Sequence, residues 1–221
     1  SVVGMGCNNF SRPRTATESL EQSVRVIHAA VDQGITFFDG ADIYGGVPGL
    51  SEEFLGEALK GRRDDVVLAT KFGHQDFAMP GSDAWGPKGG RRYVRSAVEA
   101  SLVRLKTDRI DLLQMHTPDP ETPIEETLGI LTELVGEGKV RYIGHSNFTG
   151  DLAREAADVA LAEPAFEYDP SSSEIDLDPY PLYRRMRDEA PAYYNPRLDF
   201  WAFTRFADCY EAFLDWQTYS S

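Results

Sequence analysis

The sequence predicts an α/β chain: a partial TIM (β/α) barrel of about four strand–helix units, followed by a small α+β tail. Three observations carry this expectation. Apolar β-branched runs alternate with segments whose apolar residues recur at helical spacing, the pattern of parallel strands joined by helical crossovers. The links between these segments are short. Polar residues able to do chemistry stand directly after successive strands, on the face where such barrels carry their active sites.

Taken in order, Leu20, Val24, Ile27 and Val31 lie on one face of a first helix, stopped at Gly34. Ile35 to Phe38 reads as the first strand. Ser51 opens a helix that runs to Lys60 and closes at Gly61. Val66 to Thr70 is an apolar, β-branched run and reads as a buried strand. Residues 74–91, rich in glycine and polar residues, form a loop. Tyr93, Val94, Ala97, Val98, Leu102 and Leu105 line the next helix, and Ile110 to Met115 is the third strand. Thr122-Pro123-Ile124-Glu125 has the form of a capping box with proline at the first helical position. That helix ends near Gly136–Gly138, and Val140 to Gly144 is the fourth strand. Two closures fit such a series, a barrel or an open doubly wound sheet. The open sheet usually announces itself by G-x-G-x-x-G after its first strand. Here Gly4-Met5-Gly6 runs into Cys7-Asn8-Asn9 with no third glycine, which favours the barrel.

Composition narrows the functional classes. The net charge of -14 and pI near 4.7 lack the basic footprint of broad nucleic-acid binding. No apolar run approaches the roughly 20 residues of a membrane helix, and no secretory signal opens the chain. It opens on Ser1 rather than methionine, so an incomplete N-terminus is expected. Cys7 and Cys209 match no metal or redox spacing and point to a reducing compartment, so a cytoplasmic location and no bound metal are expected. The composition also changes along the chain. Residues 1–150 carry 21 acidic and 16 basic side chains, whereas residues 151–221 carry 15 and 6. Lys139 is the last lysine, and 14 of the 25 aromatic residues fall after residue 150. A change of module is therefore expected between residues 150 and 175, with the division set at 160/161.

The strand ends carry the chemistry. Asp39 follows the first strand, and Tyr44 lies five residues later in the same turn. Lys71 follows the second strand, His116 the third, and Ser146 and Asn147 the fourth. A phenol ionises only at about pH 10, but a neighbouring ammonium stabilises the phenolate. A carboxylate would hold that ammonium charged and in place. An imidazole can donate a hydrogen bond to a carbonyl oxygen as negative charge develops there. Together the four groups could protonate an oxygen while hydride reaches the carbon. Alone, each has a plainer role: Asp39 as a loop cap, Tyr44 in packing, Lys71 as a solvated strand end, His116 as a structural hydrogen bonder. The joint placement is what points to catalysis. His28, His74 and His145 do not share it.

These residues resemble a known family. Phe37-Phe38-Asp39-Gly40-Ala41-Asp42-Ile43-Tyr44-Gly45 is similar to the first signature of the aldo-keto reductases, and Leu68-Ala69-Thr70-Lys71 to their lysine strand. Arg95, Glu99, Ser101-Leu102, Arg104-Leu105, Asp108 and Ile110-Asp111-Leu112 lead to His116 in the family's spacing. Gly138 to Gly144 and then Ser146-Asn147-Phe148 resemble the block of the fourth strand. The resemblance covers about residues 1–160. It implies a catalytic tetrad of Asp39, Tyr44, Lys71 and His116, with Tyr44 the proton donor. It implies that Ser146 and Asn147 hold the nicotinamide carboxamide, and that NADPH delivers hydride to a small aldehyde or ketone without metal. Gly40 departs from the pattern, since threonine or serine is commoner there.

After Pro164 a further barrel strand is expected, but the sequence changes character. Tyr168-Asp169-Pro170, Asp178 to Arg187, Ala190 to Tyr194 and Phe200 to Phe206 read as a helix and a hairpin, and a closing helix passes through Tyr210, Phe213 and Leu214. This tail, residues 161–221, resembles the N-terminal segment of bacterial haem-thiolate monooxygenases, the cytochrome P-450 class. That family's haem cysteine lies far downstream and Cys209 does not match it, so haem binding is not expected. Three readings follow: an NADPH-dependent carbonyl reductase impaired because half its barrel is absent, an inactive fusion of two gene fragments, or the front of a haem-dependent monooxygenase. Weak NADPH binding and self-association through open sheet edges are further expectations.

Overall fold

The computed structural model describes residues 1–160, 168, 170, 180–189, 192–195 and 200–203. The expected closing helix and Cys209 lie outside them. The chain divides into two compact units, Ser1–Ala160 and Leu161–Ser221.

The first unit alternates strands and helices: β1 (Gly4–Gly6), α1 (Leu20–Asp32), β2 (Phe37–Asp39), α2 (Leu50–Ala58), β3 (Val67–Phe72), α3 (Arg91–Leu105), β4 (Ile110–Met115), α4 (Ile124–Gly136), β5 (Val140–His145) and α5 (Gly150–Ala160). All five strands are parallel and lie in chain order, each beside the next. The register places Asp39 beside Ala69, and Lys71 beside Gln114, which in turn faces Gly144. One face of the sheet packs on the helices. Phe38, Leu68, Phe72, Leu113 and Met115 meet Ile27, Leu55, Val94, Val98, Ile130 and Leu134 in one core. Each such fully buried side chain stabilises the fold by about 1.5–3 kcal/mol.

Five units replace the four expected. β1 is three residues long and flanked by glycine, so it offers neither β-branched residues nor an alternating pattern to read. It is a strand because β2 pairs with it, with Gly4 opposite Phe37 and Gly6 opposite Asp39.

Local chemistry sets the helix starts. At α1 the Ser19 hydroxyl accepts from the Gln22 amide while the Gln22 side chain accepts from the Ser19 amide, a reciprocal cap. The capping box expected at Thr122 does not form. Pro123 is the N-cap, and the Thr122 hydroxyl donates instead to Asp119 at 2.9 Å. The same carboxylate accepts from the Gly89 amide at 2.6 Å, so it ties two loops together rather than capping one helix.

At the N-terminal end of β4, Asp111 is 4 % exposed and accepts from the Leu68 amide at 2.8 Å. Arg63 and Arg141 bond its two oxygens at 2.7 and 3.2 Å. A buried carboxylate needs such partners. This clasp joins β3, β4, β5 and the turn before β3 on the face opposite the strand ends that carry the chemistry.

In the second unit, α6 (Tyr180–Glu189) precedes an antiparallel hairpin of β6 (Ala192–Asn195) and β7 (Phe200–Phe203). Tyr168 packs edge-on against Tyr183 and Tyr193, and Met186 and Tyr193 are buried. The expected helix and hairpin are therefore present.

Candidate active site

Four successive strand ends deliver the predicted residues to one mouth. β2 ends on Asp39, and β3 carries Lys71 one residue from its end. The Lys71 ammonium donates to both oxygens of Asp39 at 2.8 Å and to the Gly40 carbonyl at 3.0 Å. The lysine is 5 % exposed, and a charge so buried needs a partner of opposite sign. Tyr44 returns over the pair in the turn after β2, and the ammonium lies 5.1 Å from the centre of its ring, within cation–π range.

His116 follows β4 directly, its amide bonded to the Phe72 carbonyl at 2.7 Å. Its ring meets that of Tyr44 edge-on at 5.8 Å. Burial pushes its pKa down to about 4, and the neighbouring His74 and Lys71 push the same way against Asp39. The imidazole is therefore neutral at physiological pH. Its Nδ1 is buried without a hydrogen-bond partner.

After β5, Ser146 and Asn147 complete the row. Asn147 adopts a left-handed φ of 59°, a conformation asparagine tolerates better than most residues. Its side-chain amide donates to the His116 carbonyl at 2.8 Å and to the Ser146 hydroxyl at 3.1 Å. The asparagine is thus fastened to the strand end that carries the imidazole.

All six predicted residues are brought together. Sequence reasoning missed three neighbours. Gln114 points to the same face as Lys71 and donates to Asp39 at 3.3 Å; a lone amide in the otherwise apolar second half of a strand was its signal. Cys7 lies beneath Asp39, whose carbonyl accepts from the Cys7 amide at 2.9 Å. Burial, reinforced by the Asp39 charge, pushes the Cys7 thiol up to about 12, which makes it inert at neutral pH. His74, set aside in the sequence, packs edge-on against His116 with ring centres 4.6 Å apart. Of the others, His28 bonds the Ala58 carbonyl at 2.8 Å and His145 stacks on Phe148.

The loop of residues 74–91 reaches the site through His74, which packs on His116, whereas Trp85 lies elsewhere. That ring packs on Tyr93 against the helical core. His74 packs beside His116, and Phe77, 50 % exposed, packs edge-on against His74. Among the described residues, no group of three or more His, Cys, Asp or Glu side chains is placed to hold a metal ion. No helix among them is long and apolar enough to cross a membrane.

Comparison with known proteins gives a consistent result. The model of the "Aldo/keto reductase family" matches residues 2–192. An aldo-keto reductase from Bacillus halodurans, solved in its holo form, is 37% identical with a TM-score of 0.59, over 69% of this chain and 48% of that one. An aldo/keto reductase from Klebsiella pneumoniae, solved with NADP and acetate and again with NADPH, is 30% identical with a TM-score of 0.56, over 82% of this chain and 59% of that one. The chain thus spans about half the length of the solved relatives it matches.

Proposed function

The chain belongs to the aldo/keto reductase family, and from that premise we propose that its strand-end constellation reduces an aldehyde or ketone to an alcohol with NADPH. The observation that carries the reading is the buried Lys71 held by both oxygens of Asp39 beneath the ring of Tyr44.

The residues present suit the cofactor. Asn147 spends its amide protons on His116 and Ser146, so its oxygen and the Ser146 hydroxyl would hold the nicotinamide carboxamide. When bound, NADPH supplies the hydride that reaches the carbonyl carbon. Tyr44 gives its hydroxyl proton to the carbonyl oxygen. Lys71, paired with Asp39, stabilises the phenolate left behind. His116, neutral because it is buried, can donate an N–H to the same oxygen and so orient it.

Phosphate sites in such barrels are often built after strands seven and eight. The described sheet has five strands, so the NADPH titration also reads how firmly these five strands hold the cofactor. A reducing compartment such as the cytoplasm suits the free thiol of Cys7.

NADPH titration of purified chain, followed by intrinsic tryptophan fluorescence, tests the proposal. Saturable quenching that is lost in Asn147→Ala is expected, with aldehyde-dependent NADPH oxidation reduced about 10²-fold or more in Tyr44→Phe. A folded chain that shows no quenching up to millimolar NADPH would overturn the reading.

A further inference from the structure

The ring of His116 lies between two others. Tyr44 meets it edge-on at 5.8 Å, and His74 meets it edge-on at 4.6 Å. Tyr44 has a role in the proposed reaction and His74 has none, although it is the closer of the two.

His74 is held with care for a loop residue. Gly73, at a φ of 75°, turns the chain out of β3 so that His74 comes back over the mouth. The Nδ1 of His74 accepts from the Asp76 amide at 3.2 Å, which leaves the ring proton on Nε2. The Lys88 ammonium donates to the carbonyls of His74, Gln75 and Phe77, gathering that turn around one charge. Thr117, the residue after His116, donates its hydroxyl to the Gly73 carbonyl at 3.2 Å and accepts from the Gln75 amide at 2.9 Å. The far end of the loop is also tied down, since the Thr127 hydroxyl donates to the Gly89 carbonyl at 2.9 Å. The strand end carrying one imidazole is therefore fastened to the turn carrying the other.

What His116 lacks gives this its meaning. A working imidazole is usually oriented by a hydrogen bond at its second nitrogen, which also sets the tautomer. The Nδ1 of His116 is buried with no such partner. The groups that face it are Tyr44, Lys71, Asp39 and His74. None of them bonds Nδ1, and two of them, Lys71 and His74, oppose the imidazolium.

We propose that His74 is a positioning residue for His116: packed edge-on, it replaces the missing hydrogen bond, keeping the ring in one orientation with Nδ1 bare and the proton on Nε2. The inference rests on the reductase reading for what the Nε2 proton then does, and on geometry alone for how it is held.

Two substitutions separate ring packing from turn formation. His74→Asn keeps a side-chain acceptor for the Asp76 amide and removes the ring. His74→Phe keeps a ring and removes the acceptor. Ring-nitrogen chemical shifts of the histidine-labelled chain report the tautomer of His116 directly, and the signals of His28, bonded at Ala58 away from the site, report that each variant is folded. The wild-type chain should show His116 as the single Nε2-protonated tautomer at neutral pH. That preference should persist in His74→Phe and give way to a mixture of tautomers in His74→Asn. A His74→Asn chain with unchanged His116 signals, or a His74→Phe chain perturbed as much as His74→Asn, would reduce His74 to a turn residue and overturn the proposal. The measurement needs neither cofactor nor turnover, so it succeeds or fails independently of NADPH binding.

Discussion

Asp42 is completely buried, three residues after Asp39 on the turn that carries Tyr44. Burial raises its pKa to about 7, and the neighbouring Glu52 pushes the same way, while Arg104 and the amides of Ile43 and Gly73 oppose. Its folded pKa exceeds the unfolded value of 3.8, so its contribution falls as pH rises from about 4 to 7. His116 has the opposite slope. Its folded pKa of about 4 lies below the unfolded 6.5, so stability is lost as pH falls through that same range. The two effects offset one another in the wild-type chain. Asp42→Asn should therefore expose a stability that rises with pH between 4 and 7, and His116→Asn one that falls. Urea midpoints measured across that range would show it, and parallel profiles for both variants would refute the assignment.

At the scale of elements, α2 and α3 meet at Gly56. A Cβ there would lie 2.5 Å from the Arg104 carbonyl oxygen and 2.7 Å from the Leu105 carbonyl carbon, backbone atoms that cannot step aside. Gly56→Ala should cost about 1–3 kcal/mol despite its better helix propensity, read as a lowered thermal midpoint. The same junction buries Glu52, which accepts from Arg104 at 2.7 Å and from Thr70 at 2.6 Å, so α2 is located by charge as well as by fit. Legibility in the sequence followed how local each cause was. Ile110–Met115 could be read to the residue because a buried strand advertises itself by composition. Asp39, Tyr44, Lys71 and His116 could be read because strand ends fix where side chains go. β1 could not, since its only cause is its partner β2. His74 could not either, because Lys88 and Thr117, distant in sequence, decide where its loop comes to rest. Thr122 misled because a carboxylate three residues back competes for its hydroxyl.

At the largest scale, β5 is an edge of the five-stranded sheet among the described residues. Among the described residues β5 pairs with β4 alone, and on it Tyr142 is 70 % and Ile143 36 % exposed. Such an edge invites pairing with another chain, and self-association is expected despite a net charge of -14. Light scattering should find species larger than a monomer, and Tyr142→Lys should shift the distribution toward monomer; identical distributions would place the contact elsewhere. The order of the sheet has a further consequence, for how the chain is made. Since every strand of the first unit lies beside its predecessor, no strand must wait for a partner still inside the ribosome. The nascent chain can dock each βα unit onto the last as it emerges, and the clasp on Asp111 closes only once Arg141 has been synthesised. The order of translation is thereby an order in which the first unit can assemble.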